Sequence, residues 1–222
     1  MIAAEGFWFV ILPMLLFLGS VFIGIWRKKA WLFLPAGLFL LLWMIMLFFF
    51  RDPARPQPDP QAVVAVSDGV IDEVRPLADG RIRINVYISL LDVHALRAPA
   101  SGVVTGYEFV PGTFLPANTP ESIDSNQRVT VDMMTMYGPL QFSAMTGAVA
   151  RRVVVPVNIG DELLAGQRIG FVRFGSRSEI ILPPGMKVLV TKGDEVHAGV
   201  TLVAEGGGRD APMSVPDGGG SQ

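Results

Sequence analysis

Two uncharged runs set the first limit on what this chain can become. Residues 7–26 ("FWFVILPMLLFLGSVFIGIW") and 30–50 ("AWLFLPAGLFLLLWMIMLFFF") hold no Asp, Glu, Lys or Arg. Each is close to the ~20 residues that an α-helix needs to cross the hydrocarbon core of a bilayer. A helix packed into a soluble core keeps a polar face, and neither run has one. The expectation is a transmembrane helical hairpin whose two ends lie on the same side. A secretory leader has a basic start, a short apolar run and a small-residue cleavage site. Here Glu5 precedes a full-length run and a second run comes at once, so the hairpin is expected to be retained. Arg27, Lys28 and Lys29 fill the connection, which the positive-inside rule places in the cytoplasm. Arg51, Arg55, Arg75, Arg81 and Arg83, beyond the second run, weigh the other way.

The character of the chain changes after residue 50. "RDPARPQPDPQ" at 51–61 carries four prolines and reads as an extended, semi-rigid linker that keeps the remainder of the chain close to the lipid. From 62 to about 205 come short Val- and Ile-rich runs broken by glycines, among them "VVAVSDGVIDEV", "RIRINVYIS", "SGVVTGYEFV", "RVTVDMMTM", "ARRVVVPV", "RIGFVRF", "EIILP" and "MKVLV". Several alternate apolar with polar residues as half-buried strands do. The predicted fold class is mainly β, a barrel-sandwich-like domain behind an N-terminal helical hairpin. "VNIGDELLAGQRIGFV" at 157–172 and "VTKGDEVHAGVTLVA" at 190–204 repeat one pattern: Gly-Asp-Glu, two residues, Ala-Gly, then an apolar strand. Glycines so placed suit tight turns. The tail at 206–222 has too little apolar surface to fold and is expected to be disordered. A formal charge of −2 and a pI near 5.7 argue against a nucleic-acid partner. Cysteine is absent, so thiol chemistry gives no clue to compartment.

The residue types narrow the chemistry further. "RFGSRSE" at 173–179 comes directly after the strand-like "RIGFV", crowding a glycine, two serines and two arginines at a strand end. A hydrolase elbow would place its serine in Gly-x-Ser-x-Gly before a helix, which Ser176 does not satisfy. With His94 and His197 the only histidines, no cysteine and no paired ligand spacing, no metal site is expected. On pattern alone, Gly175 and Ser176 make a polar turn between strands. Lys187, beside Met186 in "GMKVLV", and the paired Gly-Asp-Glu hairpins leave an alternative open: a membrane-tethered lipoyl- or biotinyl-like carrier or adaptor module.

An ordered set of motifs favours another outcome. "GQRIGFVRFGSRSEIILP" resembles the C-terminal signature of phosphatidylserine decarboxylases, in particular their short, membrane-anchored, archaetidylserine decarboxylase-like type. "FFFRDPARPQP" at 48–58 is similar to that family's Phe-Phe-Arg-Asp-Pro linker, and "VSDGVIDEV" at 66–74 to its Asp-Gly segment. "VYISLLDVHALRAPASGVV" at 86–104 resembles its Asp-Val-His block, and "SNQRVTV" matches an Asn-Glu-Arg segment more loosely, with Gln127 in the Glu place. "GAVARRVVVPVNIGDELLAGQRIG" completes a similarity that covers roughly 48–205.

The resemblance implies a self-cleaving zymogen. The hydroxyl of Ser176 attacks the carbonyl of Gly175, the resulting ester eliminates, and Ser176 becomes a pyruvoyl group, the only cofactor implied. That group takes the substrate amine as a Schiff base and accepts the electrons freed as carbon dioxide leaves, as a PLP ring would. The partners implied are a phospholipid substrate, the membrane, and the two chains cut from one precursor; self-association into a homo-oligomer is left open. His94 is implied as the acid or base of decarboxylation. Asp68 is implied as a group that orients or deprotonates during self-cleavage. Longer members carry a second histidine three residues after the first, where Arg97 stands here. Arginine stays protonated and cannot be a general base, so Asp68 or His94 is left to serve. Arg51, Arg55, Arg97, Arg173 and Arg177 are the candidates to meet lipid phosphate or the substrate carboxylate, and His197 reads as a surface turn residue. The family's location puts the catalytic domain on the cytoplasmic side of a bacterial inner or archaeal plasma membrane.

Overall fold

The computed structural model describes residues 1–148, 153–172 and 176–206. Helix α1 (Phe7–Arg27) ends where Lys28 turns left-handed at φ 49°, with Arg27 in the last turn where a cation suits the helix dipole. A single 3-10 turn (Ala30–Leu32) leads into α2 (Phe33–Phe49). The α-helix thus begins three residues later than the apolar run suggests. Pro35 sits in its first turn, where a missing N–H costs no hydrogen bond. The two helices pack side by side, with Phe17 stacked on Trp43 at 6.4 Å. Both are long and apolar enough to cross a membrane.

The described residues beyond the hairpin hold fourteen strands, mostly short: β1 (Val63–Val64), β2 (Gly69–Pro76), β3 (Ile82–Ile88), β4 (Ala95–Arg97), β5 (Gly102–Val110), β6 (Arg128–Thr135), β7 (Gly138–Met145), β8 (Val153–Val154), β9 (Glu162–Leu163), β10 (Arg168–Val172), β11 (Ser176–Leu182), β12 (Lys187–Val188), β13 (Glu195–Val196) and β14 (Leu202–Glu205). Eight form one antiparallel sheet in the order β13-β2-β3-β11-β7-β6-β5-β9, and two three-stranded sheets, β4-β10-β8 and β1-β14-β12, complete the domain. Ile71, Ile84, Val86, Phe142, Ile180 and Leu182 build the inner face and its core. The mainly-β expectation holds. It overlooked β7, whose sequence "GPLQFSAM" opens on Gly-Pro and lacks β-branched residues; two-sided pairing with β6 and β11 overrides that weak propensity.

The two Gly-Asp-Glu repeats explain the architecture. Each supplies one edge of the eight-stranded sheet, β9 and β13, and then one central strand of a small sheet, β10 and β14. Their turns match atom for atom. The Asp161 carboxylate accepts from the Asn158 N–H and the Asp194 carboxylate from the Thr191 N–H, both at 2.7 Å. The second glycines of the repeats, Gly166 and Gly199, have φ +75° and +70° and lie back to back. A Cβ built on Gly199 would meet the Cα of Gly166 at 3.2 Å, so a side chain is excluded by both conformation and space.

The linker is strapped onto the domain along its length. Asp52, buried at 8% exposure, accepts from Arg97 at 3.3 Å and from Arg168 at 2.6 Å, and Arg168 also reaches Glu5 at 2.7 Å. Further on, Arg55 pairs with Asp68, Gln57 donates to the Ala165 carbonyl, and Tyr137 donates to that of Gln61. Above it, Phe49, Phe50, Val93, Ala95 and Phe171 form a second apolar cluster with Ala3 and Val10. Asp52→Ala leaves two partly buried guanidiniums without their acceptor and should lower stability by about 2 kcal/mol. Limited proteolysis of detergent-solubilised protein should show faster cutting within 51–61 and a lower thermal midpoint. Unchanged cutting would mean that the aromatic cluster alone holds the hairpin.

Candidate active site

A break in a two-stranded ribbon defines the site. As the chain runs forward through β10 and β11, its partner runs backward through β4 and β3. Phe171 pairs with Ala95, the Val172 N–H donates to the His94 carbonyl at 3.0 Å, and beyond the break Ser176 pairs with Ile88. The pairing up to Val172 thus belongs to a small sheet and that from Ser176 to the large one, and on the facing side the chain leaves the ladder between β3 and β4. The facing loop is a tight turn: the Asp92 carboxylate accepts from the Ser89 N–H at 2.7 Å. Gly175 and Arg173, the predicted cleavage position and one predicted substrate arginine, lie outside the described residues. Chain reach alone keeps Ser176 within roughly 14 Å of Val172.

Ser176 opens β11 fully buried, and among the described residues its Oγ has no hydrogen-bond partner. Side chains alternate across a strand, so Ser176 shares the inner face with Ser178, whose Oγ lies 2.7 Å from that of Ser67, and with the core residues Ile180 and Leu182. A buried hydroxyl without a partner costs about 1–3 kcal/mol. Its neighbours gain nothing structural from it.

His94 is also fully buried. The Phe49 ring, at the end of α2, lies 4.3 Å from its imidazole, and Phe171 lies 6.2 Å away. This burial is the main reason its pKa falls to about 4, with the Arg51 charge adding to the fall while the Asp92 carbonyl and carboxylate oppose it. His94 is therefore neutral near pH 7. Its Nδ1 stands 2.9 Å from the Asp92 carbonyl, which can only accept, so Nδ1 carries the proton and Nε2 is the basic nitrogen.

The other predicted residues are committed elsewhere. Asp68 is buried, but its Oδ1 accepts from the Ala198 N–H at 2.8 Å and its Oδ2 from Arg55 at 2.7 Å, with His197 at 3.5 Å. Arg97 spans Asp52, the Pro53 carbonyl and the Gly166 carbonyl, which makes it a clamp between linker and repeat turn. Arg177 points to the opposite face of β11 from Ser176, buried at 4% exposure against Asp72 and the Ala117 carbonyl, and burial lowers its pKa. It borders a cavity of about 560 Å³ with Asp72, Asn118 and Lys192. Lys187 lies within β12, paired to Glu205 at 2.7 Å, rather than at the hairpin tip where a carrier lysine is presented. Sequence reasoning missed Phe49, Phe171 and Asp92, which set the state of His94. For Phe49 the one signal was the adjacency of the motif "FFFRDP" to a span, which marks a helix end without saying what it covers.

Ser176 and His94 are thus both buried on the paired strands that flank the Ser89–Asp92 turn. The sequence profile described as phosphatidylserine decarboxylase matches residues 43–204. The phosphatidylserine decarboxylase proenzyme of Streptomyces griseus is 44% identical over 158 residues, covering 71% of this chain and 73% of that protein. The proenzyme of Thermobifida fusca is 44% identical over 156 residues, covering 70% of this chain and 71% of its own. That of Burkholderia multivorans is 38% identical over 173 residues, covering 73% and 81%. On this profile match and these identities, the chain belongs to the phosphatidylserine decarboxylase family.

Proposed function

We propose that this chain cuts its own backbone between Gly175 and Ser176, and then decarboxylates phosphatidylserine, or a related seryl phospholipid such as an archaetidylserine, to the ethanolamine form with release of carbon dioxide. The observation that carries this is the buried, unpartnered hydroxyl of Ser176 at the ribbon break. In maturation, Ser176 Oγ bonds to the Gly175 carbonyl carbon as the peptide C–N bond breaks, leaving an ester and a free amine. Loss of the Ser176 α-proton expels the Gly175 carboxylate, and water then replaces the nitrogen, which leaves as ammonia. His94 Nε2, neutral and basic, is the proton acceptor we assign to the elimination. Asp68, with both oxygens already accepting, holds the turn before β2 instead.

The residues fit a pyruvoyl group. The hydroxyl that is consumed makes no hydrogen bond, so its loss unpairs nothing. Such a group supplies a ketone that condenses with the substrate amine and draws off electrons as carbon dioxide departs. His94 is then the group assigned to pass a proton to the carbon that has lost carbon dioxide, and Phe49 and Phe171 keep water away from its ring. The hairpin anchors the domain in the bilayer that holds the substrate, on the cytoplasmic side, which raises effective concentration over a free domain.

Cleavage is expected to leave the fold intact. After the cut, β11 remains between β3 and β7, β13 stays on β2, and β14 stays on β1. Denaturing mass spectrometry of the wild-type protein should show two chains split after Gly175 that co-elute under native conditions, with a carbonyl-reactive probe on the shorter one. Ser176→Ala should stay whole and unlabelled, with a thermal midpoint no lower than that of the wild type, since the lost hydroxyl satisfies no partner among the described residues. A wild-type chain that never splits would remove the zymogen assignment.

Cleavage should also depend on pH in a defined direction. A lowered pKa means that the neutral, proton-accepting form of His94 persists down to about 4. The rate of splitting should therefore stay nearly flat from neutral pH and drop only as the pH approaches that value. A profile already halved near 6.5, the value of an ordinary histidine, would remove His94 from the base role.

A further inference from the structure

An apolar groove of about 430 Å³ opens beside His94, within the size range of ligand pockets. Met44, Ile45, Phe48 and Phe49 line one side from a single face of α2, and Leu90 and Leu91 line the other from the turn after β3. The two leucines are 54% and 72% exposed at the tip of a turn, a place where polar residues are the rule. Phe49 is a shared wall, since it lines the groove and lies 4.3 Å from the His94 ring.

One cation stands at the headgroup end of this groove. Arg51, the first charged residue after the apolar run, donates to the Phe48 carbonyl at 2.9 Å and to the Leu91 carbonyl at 2.5 Å, and its guanidinium lies 3.9 Å from the centre of the Phe48 ring. It therefore ties the end of α2 to the leucine turn. Two of its N–H groups are used in this way, and a guanidinium has five. Its charge is also among those that depress the pKa of His94, so the two residues share one electrostatic neighbourhood.

We propose that this groove holds one acyl chain of the phospholipid substrate, with its phosphate against Arg51, so that the headgroup reaches His94 from within the bilayer. The assignment rests on the lipid substrate proposed above. The apolar walls suit a chain and nothing polar, and Leu90 and Leu91 gain by dipping into the acyl region next to α2. A second groove of similar size on the other side of the hairpin, lined by Trp8, Phe9, Leu12, Pro13, Leu42 and Met46, has neither a cation nor a wall from the β domain. It serves as the reference for ordinary lipid contact.

The test uses the full-length Ser176→Ala chain, which does not turn over, in phosphatidylcholine vesicles doped with phosphatidylserine bearing a mid-chain diazirine. After irradiation, peptide mass spectrometry should place adducts on 44–49 and 90–91 several-fold above those on Trp8 and Leu12. Unlabelled phosphatidylserine should suppress them and extra phosphatidylcholine should not. Arg51→Gln, which removes the charge facing the phosphate, should lower the adducts on 44–49 and 90–91 several-fold while leaving those on Trp8 and Leu12 in place. Equal labelling of both grooves, or equal suppression by the two lipids, would overturn the proposal. A wild-type protein that decarboxylates without groove preference would sink the subsite alone, whereas selective labelling in a protein whose wild type never splits would sink only the self-cleavage assignment.

Discussion

The Asp52 carboxylate is where the parts of this molecule are held to one another. It receives Arg97, at the end of β4, and Arg168, at the start of β10, while Arg168 also reaches Glu5 ahead of α1. A carboxylate at 8% exposure needs such partners, because burying a charge without them is costly. With Asp52 fixed, the residues just before it, Phe49 and Phe50, are fixed as well, and Phe49 sets the burial of His94. The helical hairpin is in this way part of the candidate site's construction.

The glycine repeats do a complementary job at the other end of the domain. By supplying both edges of the large sheet and a central strand of each small one, they oblige the chain to cross between sheets. One such crossing, from β10 to β11, is the ribbon break that carries Ser176.

Much of this was legible in the sequence. Residues 7–26 and 30–50 announced the hairpin by lacking charge, and alternation announced the strands. The Gly-Asp-Glu repeats were visible as pattern, although their places at opposite sheet edges were not, since pairing between distant strands leaves no local mark. Ser176 and His94 were singled out through motifs, and the structure buries both. What sequence could not give was the state of each charge. Arg97 and Arg177 are equally basic as letters, yet one clamps the linker and the other is buried against Asp72. Which carboxylate a guanidinium meets depends on contacts 45 and 105 residues apart in the chain.

Arg97 shows how a change of residue type redistributes roles. At the position where longer relatives were expected to carry a second histidine, this chain has a side chain that cannot give up its proton. Its guanidinium bridges Asp52, the Pro53 carbonyl and the Gly166 carbonyl, so it does mechanical work that an imidazole is too short and too poor in donors to do. Asp68 accepts from Arg55 on one oxygen and from the Ala198 N–H on the other, which ties it to the linker and to the second repeat. Burial meanwhile keeps the His94 imidazole neutral. The aromatic residues against His94 and the arginine clamp are then two halves of one solution: the clamp holds the hairpin end in place, and the hairpin end keeps the histidine buried and neutral.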